Sequence, residues 1–91
     1  MEEDALVMVR GRDGTLRDVS AALLREGIAR DVQLFESFRM TLEGDKTKTS
    51  ANGRVVWVRV PYAEVHVVMK RFYEALGGEG TAIAVPVIAA F

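Results

Sequence analysis

Cysteine is absent from this chain, and histidine occurs once, at His66. Without cysteine there is no disulfide, no thiolate nucleophile and no Cys-held zinc or iron–sulfur site. A lone histidine cannot assemble a His-built metal centre from one copy. No apolar run reaches the ~20 residues of a membrane-spanning helix. The opening Met1-Glu2-Glu3-Asp4 lacks the basic-then-apolar pattern of a secretory leader. The expectation is a cytoplasmic protein with no membrane span. A basic excess is missing too. Twelve Lys and Arg stand against thirteen Asp and Glu, so the electrostatic footprint of a nucleic-acid binder is not there.

What the chain has is apolar residues, 49% of its 91 positions. One small domain over residues 1–91 is expected, burying roughly 60–65% of its unfolded surface. The same pattern comes twice. Leu6-Val7-Met8-Val9-Arg10 leads into a helical stretch and a strand-like run, and Val55-Val56-Trp57-Val58-Arg59 does the same. Two β-α-β units predict an α+β ferredoxin-like α/β plait, βαββαβ. Its four-stranded antiparallel sheet would carry two helices on one face.

In detail, residues 5–10 read as the first strand and Gly11-Arg12-Asp13-Gly14 as a turn. Thr15 reads as an N-cap, with Asp18 three residues on. Leu16, Val19 and Leu23 share one helical face over residues 16–26. Gly27 and Ile28 match a Schellman ending. Residues 31–43 alternate: Val32, Leu34, Phe38, Met40 and Leu42 against Gln33, Ser37, Arg39, Thr41 and Glu43. Phe35 and Glu36 break the pattern, which a bulge there would explain. Residues 44–53 (GDKTKTSANG) read as an exposed, mobile loop. Residues 54–60 form the third strand, ended by Pro61. Val65, Val68, Met69, Phe72 and Leu76 mark the buried stripe of a second helix over residues 63–76. Residues 81–91 are the fourth strand, where Pro86 calls for a sheet edge.

Several groups could carry function. Phe35, Arg39, Trp57 and Arg59 fall on the sheet face away from the helices. Aromatics there predict self-association. Arg12, Asp13, Gly14 and Thr15 lie where a strand turns into a helix N-terminus, which favours anions. Gly78, Glu79 and Gly80 follow the second helix; a C-cap accounts for Gly77, and the further glycines suggest close approach to a ligand. Lys46, Thr47, Lys48, Thr49 and Ser50 offer two cations and three hydroxyls to a partner. Glu36 and His66 are the only acid/base candidates in unusual settings, and spacing assembles no catalytic constellation around either.

Two plait families resemble parts of this chain. Asp13-Gly14-Thr15-Leu16 with Leu23-Leu24-Arg25-Glu26-Gly27-Ile28 resembles the opening of ACT domains, amino-acid-sensing modules. That resemblance implies an effector site at Arg12, Asp13, Gly14 and Thr15. Across most of the chain the plan resembles the PII-type signalling proteins. It has the same first-helix ending, a polar loop between strands two and three, and Gly78-Glu79-Gly80-Thr81-Ala82-Ile83-Ala84-Val85-Pro86-Val87 in place of their Gly-Asp-Gly-Lys-Ile-Phe-Val-x-Pro-Val. This resemblance implies a trimer that binds a small ligand between subunits and signals through the loop. Thr81 stands at the family's basic position and the loop before it is shortened, which argues against phosphate binding and hence against ATP; the polar loop is also shorter than the family's and lacks a modifiable tyrosine.

The expectation is a non-enzymatic, small-molecule-responsive regulatory module. It would be a homo-oligomer, trimeric by the PII-type resemblance, with a protein partner at residues 44–53. No metal site is expected, and no cofactor is identified. An assembly module of a larger complex and a small plait enzyme, an isomerase or a cofactor-dependent monooxygenase, stay open.

Overall fold

The computed structural model describes residues 3–87. Strand β1 (Asp4–Gly11) leads to helix α1 (Asp13–Arg25), then strands β2 (Asp31–Glu43) and β3 (Lys46–Pro61). A 3₁₀ turn (Tyr62–Glu64) opens helix α2 (Val65–Ala75), and strand β4 (Thr81–Pro86) follows. The four strands form one antiparallel sheet in the order β2-β3-β1-β4. This is the ferredoxin-like plait expected, with the two central strands in place and Pro86 ending an edge strand.

The core forms where three rows of apolar side chains meet. Ala5, Val7 and Val9 of β1 and Val56, Val58 and Val60 of β3 point to one face. Leu16 and Leu23 of α1 and Val65, Val68 and Phe72 of α2 cover them and are fully or nearly fully buried. Both helices end as glycine permits. In α1 the Ile28 amide donates to the Leu23 carbonyl (3.0 Å) and Gly27 to Leu24 (3.1 Å), the Schellman pair. In α2 the corresponding bonds run from Gly78 to Tyr73 (3.0 Å) and from Gly77 to Glu74 (3.1 Å).

The start of α1 differs from expectation. The helix begins at Asp13, so Thr15 lies inside its first turn and Arg12 is the N-cap. Arg12 has extended backbone, and its carbonyl accepts from the Leu16 amide at 2.9 Å. Asp13 favours the positive end of the helix dipole and is gripped by Arg17, one turn on, at 2.8 Å.

The larger difference is at residues 44–53, which are no loop. Pairing of β2 with β3 runs on to Glu43↔Lys46, closed by Gly44-Asp45 alone. Gly44 has φ +65°, and no non-glycine among the described residues has positive φ. This matches a II′ turn, whose twist suits a tight hairpin. Lys46, Thr47, Lys48, Thr49 and Ser50 are therefore strand residues. Alternating threonines pair as well as apolar residues do when neither face is buried.

The bulge is also displaced. Glu36 pairs with Arg54 but Phe38 with Ala51, so Asn52 and Gly53 of β3 face the single residue Ser37. The extra residue is on β3, and β2 alternates without a break. Glu36 continues the Val32–Leu34 row, and Phe35 lies on the open face. Beyond this point β1 has ended and the hairpin continues as a two-stranded ribbon over residues 37–53. Positions 88–91 of the expected fourth strand lie outside the described residues.

Candidate functional site

A cleft of about 500 Å³ opens where β1 hands over to α1. Its walls are Arg10 and Gly11 of β1, Arg12 and Asp13 at the start of α1, Asn52, Gly53 and Arg54 at the β3 bulge, Leu76 ending α2, and Glu79 and Gly80 before β4. Two of the sequence-predicted groups thus meet in one place, represented by Arg12 and Asp13 and by Glu79 and Gly80. Gly14, Thr15 and Gly78 do not line it.

The cleft is built on arginines. Arg10 Nη1 donates to Asn52 Oδ1 at 2.9 Å, tying the end of β1 to the bulge. Arg12 Nη2 reaches the Ala75 carbonyl at 3.4 Å. Arg54 stands between two carboxylates, its Nη1 3.3 Å from Glu36 Oε1 and its Nε 3.7 Å from Asp13 Oδ1. Arg12 and Arg54 thus bring two guanidiniums to the cleft, Asp13 and Glu79 are also among its lining residues, and α1 adds its uncapped first amides. Asp13 Oδ1 is buried and accepts no hydrogen bond from the protein. The cleft can hold a small anion, and Asp13 can take a donor from the same molecule.

The glycines after α2 have backbone reasons of their own. Gly77, Gly78 and Gly80 all have positive φ (66°, 78° and 99°). A Cβ on Gly80 would stand 2.4 Å from the Arg10 carbonyl oxygen, whereas one on Gly78 would meet only the Tyr73 hydroxyl, at 3.3 Å. Gly80 therefore lets the return to β4 pass against the end of β1, and so shapes the cleft wall.

Sequence reasoning missed Arg10, Asn52, Gly53 and Arg54. The central pairing of β1 with β3 sets Gly11 opposite Arg54, so the expected strand order held the signal. Glu36 is exposed at the root of the ribbon, paired with Arg54. His66 is exposed on α2 beside a separate groove near β4, lined also by Tyr62, Met69 and Pro86. Among the described residues no three His, Cys, Asp or Glu side chains gather into a metal-holding group. No helix among them is long and apolar enough to cross a membrane.

The open sheet face carries Phe35, Trp57 and Arg59 as expected. The two rings stack at 4.9 Å between centroids, tilted by 55°. Arg59 is held by Asp4 at 2.8 Å. Arg39 lies out on the ribbon, opposite Ser50.

No family model and no curated protein matches the chain by sequence. Solved structures do match its fold. CutA1 from the psychrotrophic bacterium Shewanella sp. SIB1 superposes with a TM-score of 0.75 at 14% identity, over 98% of this chain and 85% of that one. The divalent ion tolerance protein CutA1 from Ehrlichia chaffeensis gives 0.75 at 11% identity, over 100% and 87%. GlnK of B. subtilis, a PII protein solved as its ATP complex, gives 0.65 at 14% identity, over 93% and 82%. At these identities the likeness is one of fold, and the fold of this chain is PII-like.

Proposed function

We propose that this chain is a non-enzymatic, small-molecule-responsive regulatory module that works as a homo-oligomer, with three subunits the number its PII-type resemblance implies. One observation carries the reading. Arg12 and Arg54 meet in a cleft whose wall is also the root of the ribbon. The ligand is a small anion bearing a hydrogen-bond donor. Its acidic group sits among the guanidiniums and the first amides of α1, and its donor meets Asp13. Gly80 and Glu79 close the far side.

The route from ligand to output follows from the same contacts. Arg10 holds Asn52 and Arg54 holds Glu36, and these residues flank the point where the ribbon leaves the sheet. An anion that draws Arg54 to itself releases its tie to Glu36, and the ribbon is re-aimed at its bulge. Lys46, Lys48 and Ser50 on the ribbon's polar face would then be offered to a protein partner or withdrawn from it. The uncovered aromatic face of Phe35 and Trp57 supports self-association.

Titration calorimetry with pyrophosphate, a nucleoside triphosphate and acidic amino acids tests this, with hydrogen exchange read on the same samples. At least one probe binds, and it changes exchange at residues 52–54 and along the ribbon. Arg12→Ala and Arg54→Ala each weaken it about 10- to 100-fold, the worth of one charge-assisted bond. If no probe binds and exchange is unmoved, the sensor reading fails and a plain assembly module takes its place.

A further inference from the structure

The charges that line the arginine cleft divide into those already paired and those left over. Asp13 is held by Arg17 at 2.8 Å, and Arg54 lies 3.7 Å from Asp13 and 3.3 Å from Glu36. Arg10 is tied to Asn52. Two charges remain. Arg12 makes one side-chain hydrogen bond, a 3.4 Å reach to the neutral Ala75 carbonyl, and pairs with no carboxylate among the described residues. Glu79 is exposed, and its carboxylate has no ion pair or hydrogen bond among the described residues. An unpaired cation and an unpaired anion therefore share one concave site of about 500 Å³ without pairing with each other.

The surface that separates them is apolar. A Cβ on Gly11 would stand 2.6 Å from Leu76 Cδ2, and one on Gly80 would stand 3.2 Å from Leu76 Cδ1. The Leu76 methyls thus lie against the residue next to Arg12 and against the residue next to Glu79. Arg12 belongs to the start of α1 and Glu79 to the turn before β4, so the two charges stand on separate walls with Leu76 as the floor. A polyanion gains at Arg12 and is repelled at Glu79; a polycation meets the reverse. A molecule with an acidic group at one end and a cation at the other satisfies both walls by charge-assisted hydrogen bonds. An α-amino acid carries both charges on one carbon and reaches one wall at a time.

We infer that the ligand of this cleft is a charge-separated zwitterion, of the class of ω-amino acids and dipeptides. Its acidic group lies at Arg12, its cationic end at Glu79, and a linker of a few methylenes or one peptide bond crosses Leu76. The inference rests on the anion-binding reading above and adds the far end of the molecule, which sets its specificity. Arg12 then serves binding of any acid, and Glu79 selects among acids.

Probes matched in length test it on the whole chain. 4-Aminobutanoate and diglycine are compared with glutarate, glycine and pyrophosphate by NMR titration, read at the amides of residues 11–13 and 79–80. A zwitterion of the first pair is expected to bind about 10-fold or more tighter than glutarate and glycine, the worth of one charge-assisted bond. Its affinity should change little with salt, since its net charge is zero. Glu79→Gln should weaken that zwitterion about 10-fold and leave glutarate as tight or tighter. Glu79→Lys should reverse the order of the two. Glu79 is exposed, and the amide spectrum of each variant confirms that the fold is kept. Glutarate or pyrophosphate binding tighter than both zwitterions overturns the inference and leaves the anion reading standing. A preference that survives Glu79→Gln, or glycine binding as tightly as the longer molecules, overturns it as well. No binding by any of the five overturns both readings.

Discussion

Replacing Gly80 with alanine sets two physical demands against each other. At φ +99° an L residue is strained, by about 1–2 kcal/mol for a Cβ in the left-handed region. The new Cβ would also stand 2.4 Å from the Arg10 carbonyl oxygen and 3.2 Å from Leu76 Cδ1. The first of these is backbone in the central strand β1 and cannot step aside cheaply. Overpacking of that kind adds about 1–3 kcal/mol, so Gly80→Ala should cost about 2–5 kcal/mol. Gly78→Ala supplies the control. Its φ of +78° carries the same backbone strain, but the Cβ meets only the Tyr73 hydroxyl, at 3.3 Å on an exposed side chain that can swing away. Its cost should stay near 1–2 kcal/mol. Urea unfolding of the two variants, read as midpoint times slope, gives the difference directly. For a chain of this size each kcal/mol moves the melting temperature by roughly 4–8 °C. Equal costs for the two alanines, or a Gly80→Ala as stable as wild type, would refute the claim that Gly80 exists to let the chain pass Arg10.

Other perturbations follow from the same geometry. Phe72 is fully buried under both helices' side of the sheet, so Phe72→Ala should lose about 3–5 kcal/mol, read by the same urea titration. Arg71 grips Glu26 with two bonds of 2.9 and 2.7 Å between the helices. The hydrogen bond from Arg71 holds the Glu26 carboxyl below its ordinary value. A depressed carboxylate stabilises the fold above its unfolded pKa and loses that contribution as pH falls through the folded one. Glu26→Gln should therefore melt slightly below wild type at neutral pH, and the difference should vanish as pH falls through the lowered folded-state pKa of Glu26. Arg54→Ala should weaken anion binding about 10- to 100-fold and flatten its salt dependence, measured by calorimetry at two ionic strengths.

Much of this fold is legible from periodicity because its buried rows are strict. Val56, Val58 and Val60 are all fully buried, and Val65, Val68, Phe72 and Leu76 form the stripe that 3.6-residue spacing predicts. Residues 46–53 were unreadable for the opposite reason. Neither face of the ribbon is buried, so burial leaves no hydrophobic alternation, and only Thr47 and Thr49 hint at strand. The N-terminus of α1 was misplaced because Thr15 is the better cap by chemistry, yet Arg12 is where β1 releases the chain. Arg12, Asp13, Glu79 and Gly80 were found through loop chemistry at helix ends. Arg54 was not, since it looks like an ordinary strand residue until β1 and β3 are paired and it stands opposite Gly11.

The measurement closest to the central claim is native mass spectrometry of the protein purified gently from its own host. The account predicts a homo-oligomer carrying a small anionic adduct, lost from Arg12→Ala and Arg54→Ala while the fold stays intact. A bare monomer, or an adduct that both variants retain, would contradict it.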